Sequence, residues 1–185
     1  MKNSNKRRHF LKTIGSFSAL CLLGTTKGFA DVSSSSEGFI ISKSQGELRY
    51  IGKSKSKVLI KISKTSDYTP EISLLSEALK KGRGIPVHKH LNEDEFIFVQ
   101  KGTIQVSINN QSTDATPGDI IYIPKGVWHG FNNIGNEDGL IFFGYSPAGF
   151  EDYFRSIGTT DLETDLQFTA DERARNNDKY GVVYK

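Results

Sequence analysis

Four residues of this chain have the types and spacing needed to bind a metal ion: His88, His90, Glu95 and His129. His88 and His90 are two positions apart, so on an extended segment both side chains point to the same face. Glu95 begins an alternating run, and His129 lies in a later segment. Three imidazoles and a carboxylate that meet at one point form a mixed nitrogen and oxygen site for a divalent first-row metal ion.

The identity of the carboxylate is open at this level, because Glu93 and Asp94 lie directly before Glu95. The histidines are less ambiguous. The chain contains 4 histidines, and His9 lies in a segment that we expect to be removed, so all the others belong to the candidate site. A chance distribution would leave some histidines elsewhere, which favours a metal site over histidines that only fill a core.

Glycine, proline and asparagine residues surround these ligands at defined spacings. The stretches 82–102 and 118–133 resemble the two cupin motifs, G-x5-H-x-H-x3,4-E-x6-G and G-x5-P-x-G-x2-H-x3-N. Every fixed position of both motifs is present: Gly82, His88, His90, Glu95, Gly102, Gly118, Pro124, Gly126, His129 and Asn133. The motif spacing favours Glu95 as the ligand, and we interpret Glu93 and Asp94 as solvated charges at the rim.

Short alternating segments separated by turn residues indicate an all-β chain, arranged as a sandwich or a small barrel. We predict strands over residues 47–51, 57–63, 71–78, 95–100, 103–108, 120–123, 127–132, 140–145 and 182–184. The periodicity of 71–78 fits a strand or a helix, and its place just before the histidine motif favours a strand. The resemblance implies a cupin-type double-stranded β-helix, a jelly-roll barrel, with short C-terminal helices.

Side chains with the same parity as the candidate ligands on their strands are predicted to point into the barrel. With Glu95 and His129 as reference, these residues are Ile97, Val99, Val127 and Phe131. The metal would therefore lie in a largely apolar pocket with Phe, Tyr and Trp nearby, which suits a small apolar or aromatic ligand. The alternative is that these residues only pack the core.

A first helix is predicted over residues 147–157, with Pro147 in its first turn. Glu151 and Arg155 are spaced as an i,i+4 pair on this helix. Its apolar stripe consists of Phe150, Phe154 and Ile157. We expect this stripe to lie on the outside of the barrel or across its mouth.

A second helix is predicted over residues 169–177, where Thr169 is the N-cap and Glu172 completes a capping box. Between the last long strand and the first helix, the phrase Y-S-P-A-G-F-E-D-Y-F-R resembles small single-domain bacterial cupins that are often likened to quercetin dioxygenases. The resemblance covers residues 40–185. It is specific for the fold and only weakly informative about a substrate.

The first thirty residues have the features of an export signal: a basic K-R-R stretch, an apolar run over 14–23, and small residues before a cleavage after Ala30. The stretch R-R-H-F-L-K resembles a twin-arginine signal, although Lys6 replaces the usual Ser or Thr. A general secretory signal and an uncleaved anchor are the alternatives. We expect the mature protein to be periplasmic or secreted.

The expected organisation is a signal over 1–30, a flexible linker over 31–38 and a single domain over 39–185 with a helical C-terminal extension. Of the 24 basic residues six lie in the signal, which contains no acid, so 18 remain against 21 acidic residues. This balance argues against a basic nucleic-acid-binding surface. The single cysteine, Cys21, also lies in the signal, so the core must stabilise the mature chain without disulfides.

A metal held by these four ligands keeps open positions for dioxygen or for a bidentate oxygen ligand such as a hydroxy-ketone or a catechol. The resemblance implies a dioxygenase-like enzyme in which Glu95 also acts as a base. The alternatives are a non-catalytic cupin that binds metal or a small ligand, and a cupin isomerase or decarboxylase. Fe, Mn, Ni, Cu, Co and Zn all accept this ligand set. Expected partners are a small molecule, the export machinery and, by resemblance, a second copy of the chain.

Overall fold

The computed structural model describes residues 38–65, 70–164 and 166–185. The predicted export signal, residues 31–37 of the predicted linker and residues 66–69 lie outside the described residues. The strands are β1 (Glu47–Ile51), β2 (Ser56–Ile62), β3 (Ser73–Leu79), β4 (Gly84–His90), β5 (Asp94–Lys101), β6 (Ile104–Ile108), β7 (Gln111–Ala115), β8 (Ile120–Ile123), β9 (His129–Asn133), β10 (Gly139–Ser146), β11 (Gly158–Thr159) and β12 (Val182–Tyr184). The helices are α1 (Glu151–Ile157) and α2 (Ala170–Lys179). Neither helix is long and apolar enough to cross a membrane.

The strands form two antiparallel sheets that enclose one core. The larger sheet has the order β11-β1-β2-β3-β10-β5-β8, and the smaller sheet has the order β12-β4-β9-β6-β7. Strands that are distant in sequence therefore become neighbours, as when β10 pairs with both β3 and β5. This arrangement confirms the predicted all-β fold of the double-stranded β-helix type with short C-terminal helices.

The core is built from alternate side chains of both sheets, as the period of two in a strand requires. Ile97 and Val99 are fully buried, which confirms that they point inward together with Glu95. Phe131 is also buried, whereas Val127 is partly buried and precedes the start of β9. Each fully buried aliphatic side chain of this kind contributes about 1.5–3 kcal/mol to stability.

Strand β7 was not predicted, because its residues are polar and all except Ala115 are exposed. It pairs with β6 through a hairpin whose two turn residues, Asn109 and Asn110, have φ values of 48° and 70°. Such a turn with two positive φ angles favours asparagine and glycine, so the Asn-Asn pair was the available sequence signal. Segment 71–78 does form a strand, β3, as its position indicated.

Helix α1 begins at Glu151, and the predicted start at Pro147 is wrong. Gly149 has a φ of 144°, a conformation outside the helical region, so a continuous helix from Pro147 is excluded. Phe150 then occupies the N-cap position. It is buried, while Phe154 and Ile157 are partly buried and pack against the core. The predicted apolar stripe therefore docks on the barrel.

The predicted Glu151–Arg155 pair is also wrong. Glu151 is fully buried, and its carboxylate accepts hydrogen bonds from the backbone N–H groups of Lys64 at 2.6 Å and Gly149 at 2.7 Å. Two backbone N–H groups therefore hold this carboxylate, one of them just before the helix start. Arg155 instead binds Glu47 at 2.8 Å and Asp152 at 2.6 Å.

Helix α2 confirms the predicted capping box. The Thr169 hydroxyl accepts from the Glu172 N–H at 3.2 Å, and the Glu172 carboxylate accepts from the Thr169 N–H at 2.8 Å. After this helix the chain enters β12, which pairs with the histidine strand β4. The C-terminal strand thus reaches the region that holds the candidate ligands.

Candidate metal centre

The structure brings His88, His90, Glu95 and His129 together between the two sheets. Both His88 and His90 lie on β4 and His129 lies on β9, with His88 directly opposite His129 in the ladder. Glu95 enters from β5 of the other sheet. One candidate ligand atom from each residue lies within 4.8 Å of the others, and the four residues are only 1–4% exposed.

Two of the three imidazoles are oriented by backbone carbonyl groups. His88 Nδ1 lies 2.8 Å from the Pro86 carbonyl oxygen, and His129 Nδ1 lies 2.9 Å from the Val127 carbonyl oxygen. Because a carbonyl oxygen only accepts, each Nδ1 carries the proton and donates it. In a neutral ring this tautomer leaves the Nε2 lone pair available for a metal ion, as outer hydrogen bonds do in many metal sites. In His129 the Nε2 carries a proton that it donates to Glu95.

The third imidazole, His90, has no hydrogen-bond partner for either buried ring nitrogen. Its Nε2 lies 3.4 Å from a Glu95 carboxylate oxygen. A buried polar atom without a partner costs about 1–3 kcal/mol, so native structures rarely leave one without a reason. A metal ion at the centre of the cluster would supply the missing partner, and the residues present therefore fit a divalent cation.

Charges within the cluster favour the forms that bind a metal. Burial raises the pKa of the Glu95 carboxyl, but the hydrogen bond from His129 at 2.8 Å and the nearby His90 hold that pKa well below its usual range. Burial lowers the pKa of His88 to about 4. Glu95 is therefore ionised and His88 is neutral near pH 7, as metal coordination requires.

His129 differs from His88 in its charge preference. Burial lowers the pKa of His129, yet the hydrogen bond and the charge of Glu95 outweigh this effect and raise it. The carboxylate therefore stabilises a proton at the position where a cation would bind. A divalent ion can replace that proton, since it satisfies the same carboxylate and the same imidazole nitrogen.

Three aromatic residues surround the cluster. The sequence predicted Phe and Tyr near the metal but did not identify Tyr145 or Tyr184 as the residues concerned. Tyr184 on β12 stacks on His88 with ring centroids 5.4 Å apart, and Phe150 meets His90 edge-on at 4.3 Å. Tyr145 on β10 lies opposite Glu95 in the ladder, and its ring is 5.1 Å from that of His90. Burial and the charge of Glu95 raise the pKa of Tyr145, so its hydroxyl stays protonated beside the carboxylate.

The tryptophan expected near the metal lies elsewhere. The Lys89 and Lys185 ammonium groups lie over the Trp128 ring at 4.7 and 5.6 Å from its centroid. Lys89 alternates with His88 and His90 on β4, so it projects from the opposite face of the strand. Trp128 therefore belongs to a cation–π contact on that other face.

The two acids that competed with Glu95 have different environments. Asp94 accepts hydrogen bonds from the Tyr122 hydroxyl at 2.6 Å and the Lys125 N–H at 2.9 Å, away from the imidazoles. The interpretation of Glu93 as a solvated rim charge is wrong, because this residue is only 9% exposed and one carboxylate oxygen is buried without a partner. Glu93 has the same parity as Glu95, which carries it inward, and burial raises its pKa.

The last position of the second motif has a structural role. The Asn133 side-chain amide donates to the Leu79 carbonyl at 3.0 Å and to the Glu137 carbonyl at 2.8 Å, and its oxygen accepts from the Gly135 N–H at 3.0 Å. The side chain thus ties β9 to two neighbouring segments.

Among the described residues, the cluster of His88, His90, Glu95 and His129 is the group of three or more potential ligands that meets the geometry of a metal site.

Comparison with known proteins agrees with this fold and cluster. The family profile described as "Cupin domain" matches residues 75–145, which include all four candidate ligands. An RmlC-like cupin from Shewanella frigidimarina superposes with a TM-score of 0.52 at 23% identity, covering 63% of this chain and 96% of that structure. A cupin-domain profile thus matches the part of the chain that holds the candidate ligands, and a solved cupin shares the fold.

Curated relatives are similar over the same part of the chain. An uncharacterized protein of Methanocaldococcus jannaschii is 30% identical over 81 residues, which cover 43% of this chain and 65% of the relative. The polyketide synthase CurC of Streptomyces cyaneus is 27% identical over 85 residues, which cover 46% of this chain and 53% of that protein. The chain therefore spans between about half and just under two thirds of the length of these relatives.

Proposed function

We propose that this protein is a metal-dependent cupin oxygenase that acts on a small phenolic or diketone-like compound. The observation that carries the proposal is the buried group of three imidazoles and one carboxylate, which matches the ligand preference of divalent first-row metals. A metal held there by His88, His90, Glu95 and His129 would supply Lewis-acid and redox chemistry to a bound oxygen ligand.

The residues of the chain have distinct roles in this proposal. The backbone carbonyls of Pro86 and Val127 orient two of the rings. Glu95 is the candidate catalytic base, because its carboxylate is ionised and accepts a hydrogen bond from His129 Nε2 at 2.8 Å. Tyr145, Phe150 and Tyr184 exclude water from the cluster and offer apolar faces to an aromatic substrate.

Oxygen consumption tests the proposal directly. Protein loaded separately with Fe, Mn, Ni, Cu, Co or Zn would be assayed with a panel of phenols, catechols and β-diketones in an oxygen electrode. We expect uptake with at least one metal and one substrate class, and loss of that uptake in Glu95→Gln protein that still holds metal. Glu93→Gln is the matched control. If no combination consumes oxygen above the metal-free protein, the oxygenase assignment is wrong.

A second candidate function is non-catalytic binding of a metal or small ligand. The low exposure of the four ligands favours it, since an exchanging substrate needs a path to the metal. Isomerase and decarboxylase reactions without oxygen uptake also occur on this fold. Product analysis after anaerobic incubation with the same panel separates these alternatives, because a binding protein returns every compound unchanged.

We also propose that the protein is exported and reaches the periplasm folded with its metal. This proposal rests on the resemblance of the N-terminal segment to a twin-arginine signal, a route that carries folded proteins. The double change of Arg7→Lys and Arg8→Lys should leave folded, metal-bound protein in the cytoplasm. A variant that is still exported would contradict the route.

Light scattering of the purified protein tests the homodimer that the resemblance implies.

A further inference from the structure

We propose that a second cavity, separate from the metal centre, binds a small planar organic anion such as an aromatic monocarboxylate. The cavity has a volume of about 220 Å³ and lies between the β1–β2 hairpin, α1, β11 and α2. None of the four candidate metal ligands lines it. The proposal does not depend on the oxygenase assignment.

The cavity walls combine positive charge with the absence of acid. Lys53, Lys55 and Arg173 line it, and the described lining residues include no Asp or Glu. The Lys55 ammonium donates to the Thr164 carbonyl. Within the described part of the chain, no side-chain hydrogen bond or ion pair engages Lys53 or Arg173. Two cations thus face a concave surface without a counter-charge, which favours an anionic ligand.

Asp161, an acid close to Lys55, does not neutralise the charge of the cavity. Asp161 lies close enough to Lys55 for the lysine charge to lower its pKa, but hydrogen bonds from Thr164 are the stronger cause. The Asp161 carboxylate accepts from the Thr164 hydroxyl at 2.8 Å and from the Thr164 and Glu163 N–H groups at 2.7 and 2.9 Å. These donors hold the carboxylate in its own loop, so it is not positioned to pair with Arg173.

Apolar and aromatic walls indicate that the anion carries a flat organic body. The cavity is lined by Tyr50, Ile51, Tyr153, Ile157, Leu166 and Phe168 in addition to the cations. Such walls would remove water from an inorganic anion without replacing its hydrogen bonds, which is costly. Ordinary small-molecule sites have volumes of about 300–1,000 Å³, so this smaller cavity suits a single ring.

Two amides on α2 complete the polar side of the cavity. Asn177 accepts a hydrogen bond from the Tyr153 hydroxyl at 3.0 Å, which leaves its own NH₂ group to donate to a ligand. Asn176 donates to the Ser156 hydroxyl at 2.8 Å, which fixes its orientation. The site therefore offers hydrogen-bond donors beside the unpaired cations, and this combination matches a carboxylate oxygen.

The test is calorimetric titration of the metal-loaded, full-length mature protein with benzoate, and with the neutral isostere benzamide. We expect saturable binding of one benzoate per chain and at least about tenfold weaker binding of benzamide. Arg173→Gln and Lys53→Gln should each weaken benzoate binding by about tenfold, since each removes one unpaired cation. Arg175→Gln is the matched control, because Arg175 lies on the same helix but does not line the cavity.

The substituted residues are exposed, so the variants should keep the melting midpoint and metal content of the parent protein. Absence of saturable benzoate binding would overturn the proposal. Equal benzoate affinity in the parent and in the Lys53→Gln/Arg173→Gln double variant would also overturn it. Equal affinity for benzamide and benzoate would show an apolar cavity without anion preference and would equally contradict the assignment.

Discussion

Two of the buried carboxylates of this protein, Glu95 and Glu77, have opposite environments. Glu95 on β5 meets His129 at 2.8 Å and His90 at 3.4 Å. Glu77 on β3 is 4% exposed and lies in the ladder between Val58 and Ile141, which are both fully buried. Burial raises the pKa of Glu77 to about 7, and only the Ser56 hydroxyl opposes this effect.

The comparison shows what distinguishes the candidate site from a buried acid in general. Burial alone raises the pKa of a carboxyl, so Glu77 is partly protonated near pH 7. Glu95 is equally buried but remains ionised, because imidazoles from the opposite sheet compensate for the lost hydration. A cluster that holds a charge in the core is an arrangement for binding a cation, whereas an isolated acid is a destabilising feature.

Among the changes that test this comparison, removal of one imidazole should have the largest effect, which is on metal binding. His88→Ala, His90→Ala and His129→Ala should each reduce bound metal far below one ion per chain, at least about 100-fold in affinity. Glu95→Gln should retain part of the metal and lose activity. Elemental analysis after dialysis measures the occupancy. Full occupancy in His129→Ala would remove that residue from the ligand set.

Glu93→Gln is the matched control for these variants, because it changes a neighbouring buried acid on the same side of the strand. Its metal occupancy should equal that of the parent. A Glu93→Gln protein without metal, together with a metal-replete Glu95→Gln protein, would show that the other carboxylate is the ligand.

Truncation of Phe150, which packs beside His90, should have the next largest effect, which is on the stability of the fold. Phe150 is 2% exposed and packs on His90, Tyr145 and Tyr153. Phe150→Ala should lower the free energy of unfolding by about 3–5 kcal/mol, because it leaves a cavity in the core. Chemical denaturation measures this change, with the exposed Phe39→Ala as control. An unchanged free energy of unfolding would show that α1 does not dock on the metal centre.

Glu77, the isolated acid, should make the stability of the fold depend on pH. The pKa of Glu77 is raised from 4.5 in the unfolded chain to about 7 in the folded protein. Below pH 4.5 the Glu77 carboxyl is protonated in both states, so its titration does not change the free energy of unfolding. As the pH rises through this window the unfolded state loses its proton first, so the stability of the fold decreases. Above about pH 7 the full cost, on the order of 3 kcal/mol, is present.

Glu77→Gln removes this titration and keeps a neutral group of similar shape. The variant should be more stable than the parent protein at pH 8 by on the order of 2–3 kcal/mol, and the difference should vanish near pH 4. Denaturant titrations at the two pH values measure it. The same pH dependence in both proteins would mean that Glu77 is already ionised in the fold.

Local spacing explains why the candidate ligands were accessible from sequence. The separation of His88 and His90 places both on one face of a strand, and the motif positions identify the turns that bring His129 back toward them. The capping box at Thr169 could also be predicted from sequence, because its two hydrogen bonds join residues three positions apart. Such features depend on a few neighbouring residues.

Features that depend on strand pairing across the chain were not accessible. Tyr145 faces Glu95, and Tyr184 faces His88, only because β10 pairs with β5 and β12 pairs with β4. No periodicity in either segment indicates its partner. Likewise, Glu93 is buried where the charges of His90 and the distant Glu151 act on its carboxyl. Its charge alone favoured the interpretation as a rim residue.

The most direct test of the central claim is metal analysis combined with X-ray absorption spectroscopy on protein purified from its native compartment. The account predicts one divalent first-row metal ion per chain, with three imidazole nitrogens and one carboxylate oxygen among its ligands. The His129→Ala protein should lose both the ion and this spectrum. Native protein that carries no stoichiometric metal, or a metal bound without histidine, would contradict the account.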